Sequence, residues 1–138
     1  MNPVLRNILA VIAGFGMGSL VNMALIAIGP SIIAPPPGTD TSTMEGLKAA
    51  MLLFEPKHFI FPFLAHALGT FVGAAAAARV AASLKLHLAL GIGVLFLAGG
   101  VAAVMMLPAP AWFDALDLIG AYLPMAWIGW KLATPRVR

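Results

Sequence analysis

The sequence predicts an all-α polytopic membrane protein, with four transmembrane helices in an antiparallel bundle and both termini on the cytoplasmic side. Three observations predict it. Four apolar segments each reach the roughly 20 residues needed to cross the hydrocarbon of a bilayer. Proline, glycine and lysine separate them at clear breaks. Basic side chains gather at one set of segment ends. The composition points the same way. Of 138 residues, 62% are hydrophobic and 9% charged, against about 25% charged in an ordinary globular domain. A soluble fold of this length cannot cover its surface with so few charges, whereas a surface facing lipid needs none.

The spans are expected at 8–29, 59–82, 86–107 and 112–133, within a single domain covering residues 1–138. The first is too long for a signal-peptide core and reads as a retained span. None alternates apolar with polar residues, and four strands cannot close a membrane barrel, so each span must close its own backbone hydrogen bonds as a helix. The first break starts at Gly29-Pro30 and runs through Pro35-Pro36-Pro37-Gly38, which cannot be helix interior. Lys85 marks the second and Pro108-Ala109-Pro110 the third. Both later connections are short, so the spans they join are antiparallel neighbours. The one long connection, 30–58, holds Ser42 and Glu45 at capping-box spacing, followed by Met44, Leu47, Met51 and Phe54 at helical intervals. It predicts a short amphipathic helix at about 43–54, lying on the outer membrane face or covering something within the bundle.

Charge sets the direction. With the N-terminus inside, the inner ends hold Arg6, Arg79, Lys85, Lys131, Arg136 and Arg138 and no acid. The outer side holds Lys48 and Lys57 with all the acids: Asp40, Glu45, Glu55, Asp114 and Asp117. Short cytoplasmic connections are enriched in Lys and Arg, which fixes this orientation. Trp112 falls at an outer end, and Trp127 and Trp130 near an inner end, where indole rings anchor at headgroup level. The net charge of +3 is thereby explained by topology, and no nucleic-acid partner is expected.

Several chemistries are excluded. Without cysteine there is no disulfide, thiolate ligand or thiol nucleophile. A phosphate-binding glycine loop, a zinc-binding His-Glu-x-x-His and a nucleophile elbow are all missing, and Ser19 and Ser83 have no evident base. No enzyme activity, cofactor or metal is therefore expected. Met17, Met23, Met105, Met106 and Met125 are read as packing filler.

Small residues mark the packing faces. Gly14, Gly18 and Asn22 recur at intervals of four in the first span. His66, Gly69, Thr70 and Gly73 share a face of the second, and Gly69 and Gly73 have the spacing of a close-packing motif. These faces serve either the bundle or a homo-oligomer. Gly91, Gly93, Gly99 and Gly100 make the third span slim on more than one side, which predicts the most enclosed helix.

The candidate site follows from depth. Asn22 lies seven residues inside the outer end of its span, His66 seven and Asp117 five. At about 1.5 Å per residue, an amide, an imidazole and a carboxylate share a level roughly 8–11 Å below the outer boundary. Asp114 lies nearer the interface on the same stripe as Asp117. Polar groups in hydrocarbon must pair or face water. An imidazole and a carboxylate at one level can share a proton, which opens a route to proton-coupled movement of a solute or ion. The same groups also serve as interhelical ties, each worth on the order of 1 kcal/mol. Tyr122 is read as a packed ring whose hydroxyl finds a helix partner, and Pro124 as a kink in the fourth span.

Phe61-Pro62-Phe63-Leu64-Ala65-His66-Ala67-Leu68-Gly69-Thr70 and Pro108-Ala109-Pro110-Ala111-Trp112-Phe113, together with the Pro-rich first loop, resemble an uncharacterised group of small four-span bacterial inner-membrane proteins. The resemblance implies topology only, and no activity or site; the expected location is the bacterial inner (cytoplasmic) membrane, crossed several times. Small multidrug transporters are similar in size and span count, but they use a carboxylate in the first span, where this chain has Asn22. The sequence thus leads to a transporter or channel-like module with a polar outer vestibule. The rival expectation is an accessory subunit packed against a larger membrane complex. The expected partners are the lipid bilayer and either further copies of the chain or another membrane protein.

Overall fold

The computed structural model describes residues 1–135; Arg136 and Arg138, two of the basic residues used for orientation, lie outside the described residues. The regular elements described are all helical: α1 (Pro3–Ile32), α2 (Met44–Met51), a 3-10 turn (Pro56–Phe59), α3 (Ile60–Val80), α4 (Lys85–Met106), α5 (Ala111–Gly120) and α6 (Leu123–Ala133). Three stretches are long and apolar enough to cross a membrane: Pro3–Ile32, Pro56–Val80 and Lys85–Met106.

Local chemistry explains the boundaries. Asn2 caps α1 by accepting a hydrogen bond from the Val4 amide, and Pro3 takes the first helical position, where no donor is needed. The helix runs past the expected stop at Gly29-Pro30. Pro30 sits in its last turn, where one lost amide is tolerated, and the Ile33 amide still bonds to the Gly29 carbonyl. The cap of α2 is Thr43 rather than Ser42. The Ser42 hydroxyl and amide both donate to Asp40 Oδ1, leaving Thr43 Oγ1 to accept from the Gly46 amide. The two Ser42 bonds, side chain first, hold the Asp40 carboxyl below its ordinary pKa.

The fourth span is not one helix, which corrects the expectation for 112–133. Pro124 has no amide proton, and its ring crowds the carbonyl four residues back. The helix stops at Gly120, bends through Ala121 and Tyr122, and restarts with Pro124 inside its first turn. Neither piece alone is long enough to span.

The pairing of α1 with α3 is close and antiparallel. A Cβ on Gly14 would fall 2.6 Å from the Gly73 carbonyl oxygen, and one on Gly73 2.7 Å from that of Gly14. Gly18 and Gly69 stand in the same reciprocal relation, at 2.6 and 2.9 Å. Real Cβ atoms do not come so near, so all four glycines are required for the backbones to touch. At one end of this seam Arg6 Nε donates to the Val80 carbonyl. There too Asn7 Oδ1 accepts from the amides of Ala82 and Ser83, and its Nδ2 donates to Ser83 Oγ.

The most enclosed helix is α3, not the third span as the glycine count suggested. It packs against α1, α4, α5 and α6 and buries Ala65, Gly69, Thr70, Gly73, Ala74 and Ala77 among others. In α4, Gly93 and Gly100 meet α6 and Tyr122, but Gly91 and Gly99 face open space.

Candidate functional site

The site is centred on the carboxylate of Asp117, which is 3% exposed. His66 Nδ1 lies 2.9 Å from both of its oxygens, and the Tyr122 hydroxyl donates to Oδ2 at 2.9 Å. One proton therefore lies between ring and carboxylate, on Nδ1 when the carboxyl is ionised. The His66 ring stacks on that of Tyr122, with centroids 5.8 Å apart and planes at 27°. Thr70 Oγ1 donates to the His66 carbonyl. Among the described residues His66 Nε2 has no hydrogen-bond partner, and the side chain is 23% exposed. The free nitrogen is where a further proton can be accepted.

Each element contributes for a local reason. On α3, His66 meets the Asp117 carboxylate of α5, while Gly69 and Gly73 of the same helix meet Gly18 and Gly14 of α1. In an unbroken helix Tyr122, five residues after Asp117, would stand about 140° around the axis from it. The break at Ala121-Tyr122 brings its hydroxyl back to the carboxylate. Gly100 makes room for the ring: a Cβ there would collide with the Tyr122 hydroxyl and Cζ. Tyr122 is thus a site residue that its expected role as a packed ring understated, and the only sequence sign of it is Pro124 two positions on.

The other candidates are placed differently. Half-buried Asp114 lies one helical turn before Asp117 and lines the same cavity. Asn22 does not join the cluster. Its side chain packs on Gly69, and its amide oxygen is buried without a hydrogen-bond partner among the described residues. Gly14, Gly18, Gly69 and Gly73 form the α1–α3 seam beneath the site.

A cavity of about 310 Å³ reaches His66, Asp114 and Asp117. Its walls come from the ends of α1, α3, α4 and α5, and Leu47, Met51 and Phe54 line it from the α2 side. The apolar face of α2 therefore packs on protein: Met51 forms a cluster with Phe59 and Phe113, supported by Leu47, Phe54 and Leu107. Leu47 and Met51 of this helix line the cavity, while Met44 on the same stripe is exposed. His58 holds the base of the segment. Its Nδ1 accepts from the Glu55 amide, its Nε2 donates to the Ala34 carbonyl, and its ring stacks on Phe54.

No family model matches the chain, and no curated protein or solved structure matches it.

Proposed function

We propose that the chain is a polytopic protein of the bacterial inner membrane that binds a small solute in the cavity beneath α2 and couples its movement to a proton held by His66 and Asp117. The single observation that carries this reading is a partly open cavity ending on a hydrogen-bonded imidazole–carboxylate pair whose carboxylate is buried. Ionisable groups at such depth are costly and mark solute or proton pathways. The broken segment α5–α6 supports the same view. Together its pieces have the length for a fourth crossing, and interrupted helices in membranes are tolerated where protein or a cavity receives the freed backbone. Ala121 and Tyr122, at the break, are both buried.

Orientation is part of the proposal. Arg6, Arg79, Lys85 and Lys131 gather toward the end that carries the α3–α4 turn, with the acids toward α2. The positive-inside preference then puts both termini in the cytoplasm and the cavity toward the outside. A second reading, an accessory subunit, draws on the completeness of the cluster: Asp117 already accepts bonds from two rings, as a purely structural tie would.

Flux separates the two. Asp117→Asn and His66→Gln replace each ionisable group by a neutral amide that can still hydrogen-bond, and are expected to cost stability about 1–2 kcal/mol. In reconstituted vesicles both are expected to lose proton-coupled solute flux that the parent shows. If the parent itself never exceeds empty vesicles, the transport reading is wrong.

A further inference from the structure

Resting on the reading of the cavity as a solute site, we infer that its occupant is a small organic cation with apolar substituents. The lining is chemically one-sided. Two carboxylates, Asp114 and Asp117, reach the cavity, and no Lys or Arg lines it among the described residues. Four phenyl rings, Phe54, Phe59, Phe61 and Phe113, stand around the same space. Aromatic faces attract a cation within about 6 Å and do nothing comparable for an anion. The volume is at the low end of the roughly 300–1,000 Å³ typical of small-molecule sites, which suits a single-ring ammonium. An inorganic cation needs a shell of converging ligands, and among the described residues no group of three or more His, Asp or Glu side chains is arranged to hold one.

The Asp117 carboxylate already accepts hydrogen bonds from His66 and Tyr122, so half-buried Asp114, with no side-chain hydrogen bond among the described residues, is the carboxylate left to face an entering ammonium. The titratable groups facing His66 are Asp114 and Asp117 of α5, Tyr122 at the break and His58 of the 3-10 turn; α1, α2 and α4 line the cavity with none.

Calorimetry on the full chain in detergent tests this with three probes of one shape: benzyltrimethylammonium, its uncharged carbon analogue neopentylbenzene, and the anion benzylsulfonate. The cation is expected to bind at least about tenfold more tightly than either other probe. Asp114→Asn has no hydrogen bond to lose among the described residues and is expected to weaken cation binding alone. Equal or tighter binding of the neutral or anionic probe, or no binding of any of the three, overturns the inference on the parent protein, whatever the variants do. Cation binding without flux would instead overturn transport and leave this inference standing. Flux of an uncharged or anionic solute without cation preference would do the reverse.

Discussion

Leu84 is the one described non-glycine residue with positive φ, at 53°. It sits in the tight α3–α4 turn as the N-cap of α4, with no capping side-chain bond. An L-residue there carries roughly 1–2 kcal/mol of strain. Leu84 is 61% exposed, so little packing depends on its side chain. Leu84→Gly is expected to raise stability by about 1 kcal/mol, read as a higher midpoint of thermal unfolding in detergent. The strain was invisible in the sequence, because Lys85 marked a turn there without giving its dihedral angles. At the site, His66 and Asp117 were legible because ionisable residues are rare in apolar stretches. Tyr122 was not: its spacing from Asp117 excludes a shared helical face unless the helix is known to break. Asn22 matched the level of the pair but not its direction, since depth along an axis says nothing of rotation about it.

At the scale of elements, the α1–α3 seam and the two-piece α5–α6 segment have different origins. The seam is built from absent side chains. Apolar burial gives helices little reason to associate in lipid, so backbone approach and dispersion carry the contact. Gly14→Ala, Gly18→Ala, Gly69→Ala and Gly73→Ala each force a methyl against a facing carbonyl oxygen and are expected to cost about 1–3 kcal/mol. Gly16, Gly91 and Gly99 have open space where a Cβ would go. Alanine at those positions should leave stability unchanged or raise it, so denaturant unfolding of the two sets separates packing from helix propensity. Long apolar runs made α1, α3 and α4 readable. The seam was readable from glycine spacing, but which span is most enclosed was not, because glycine is equally small against a neighbour and against open space. The break in the fourth segment depended on where a proline's steric conflict is resolved, and that lies two residues upstream of the proline itself.

For the whole molecule, the segregation of charge between its two ends makes sidedness measurable. Reporter fusions after Ala133 should read cytoplasmic and fusions in the loop before α2 external; the reverse would turn the cavity inward without altering its contents. The four-crossing topology stands or falls on the same fusions, since only α5 and α6 together can return the chain to the inner side. The contacts of Arg6 and Asn7 tie the start of α1 to a distant part of the chain. Their partners at Val80, Ala82 and Ser83 lie 74 to 76 positions later. Val80 ends α3, and Ala82 and Ser83 belong to the turn that follows it. One guanidinium and one carboxamide thus latch that turn to α1, so a residue inserted between Ala82 and Ser83 is expected to loosen both, although neither belongs to the glycine seam.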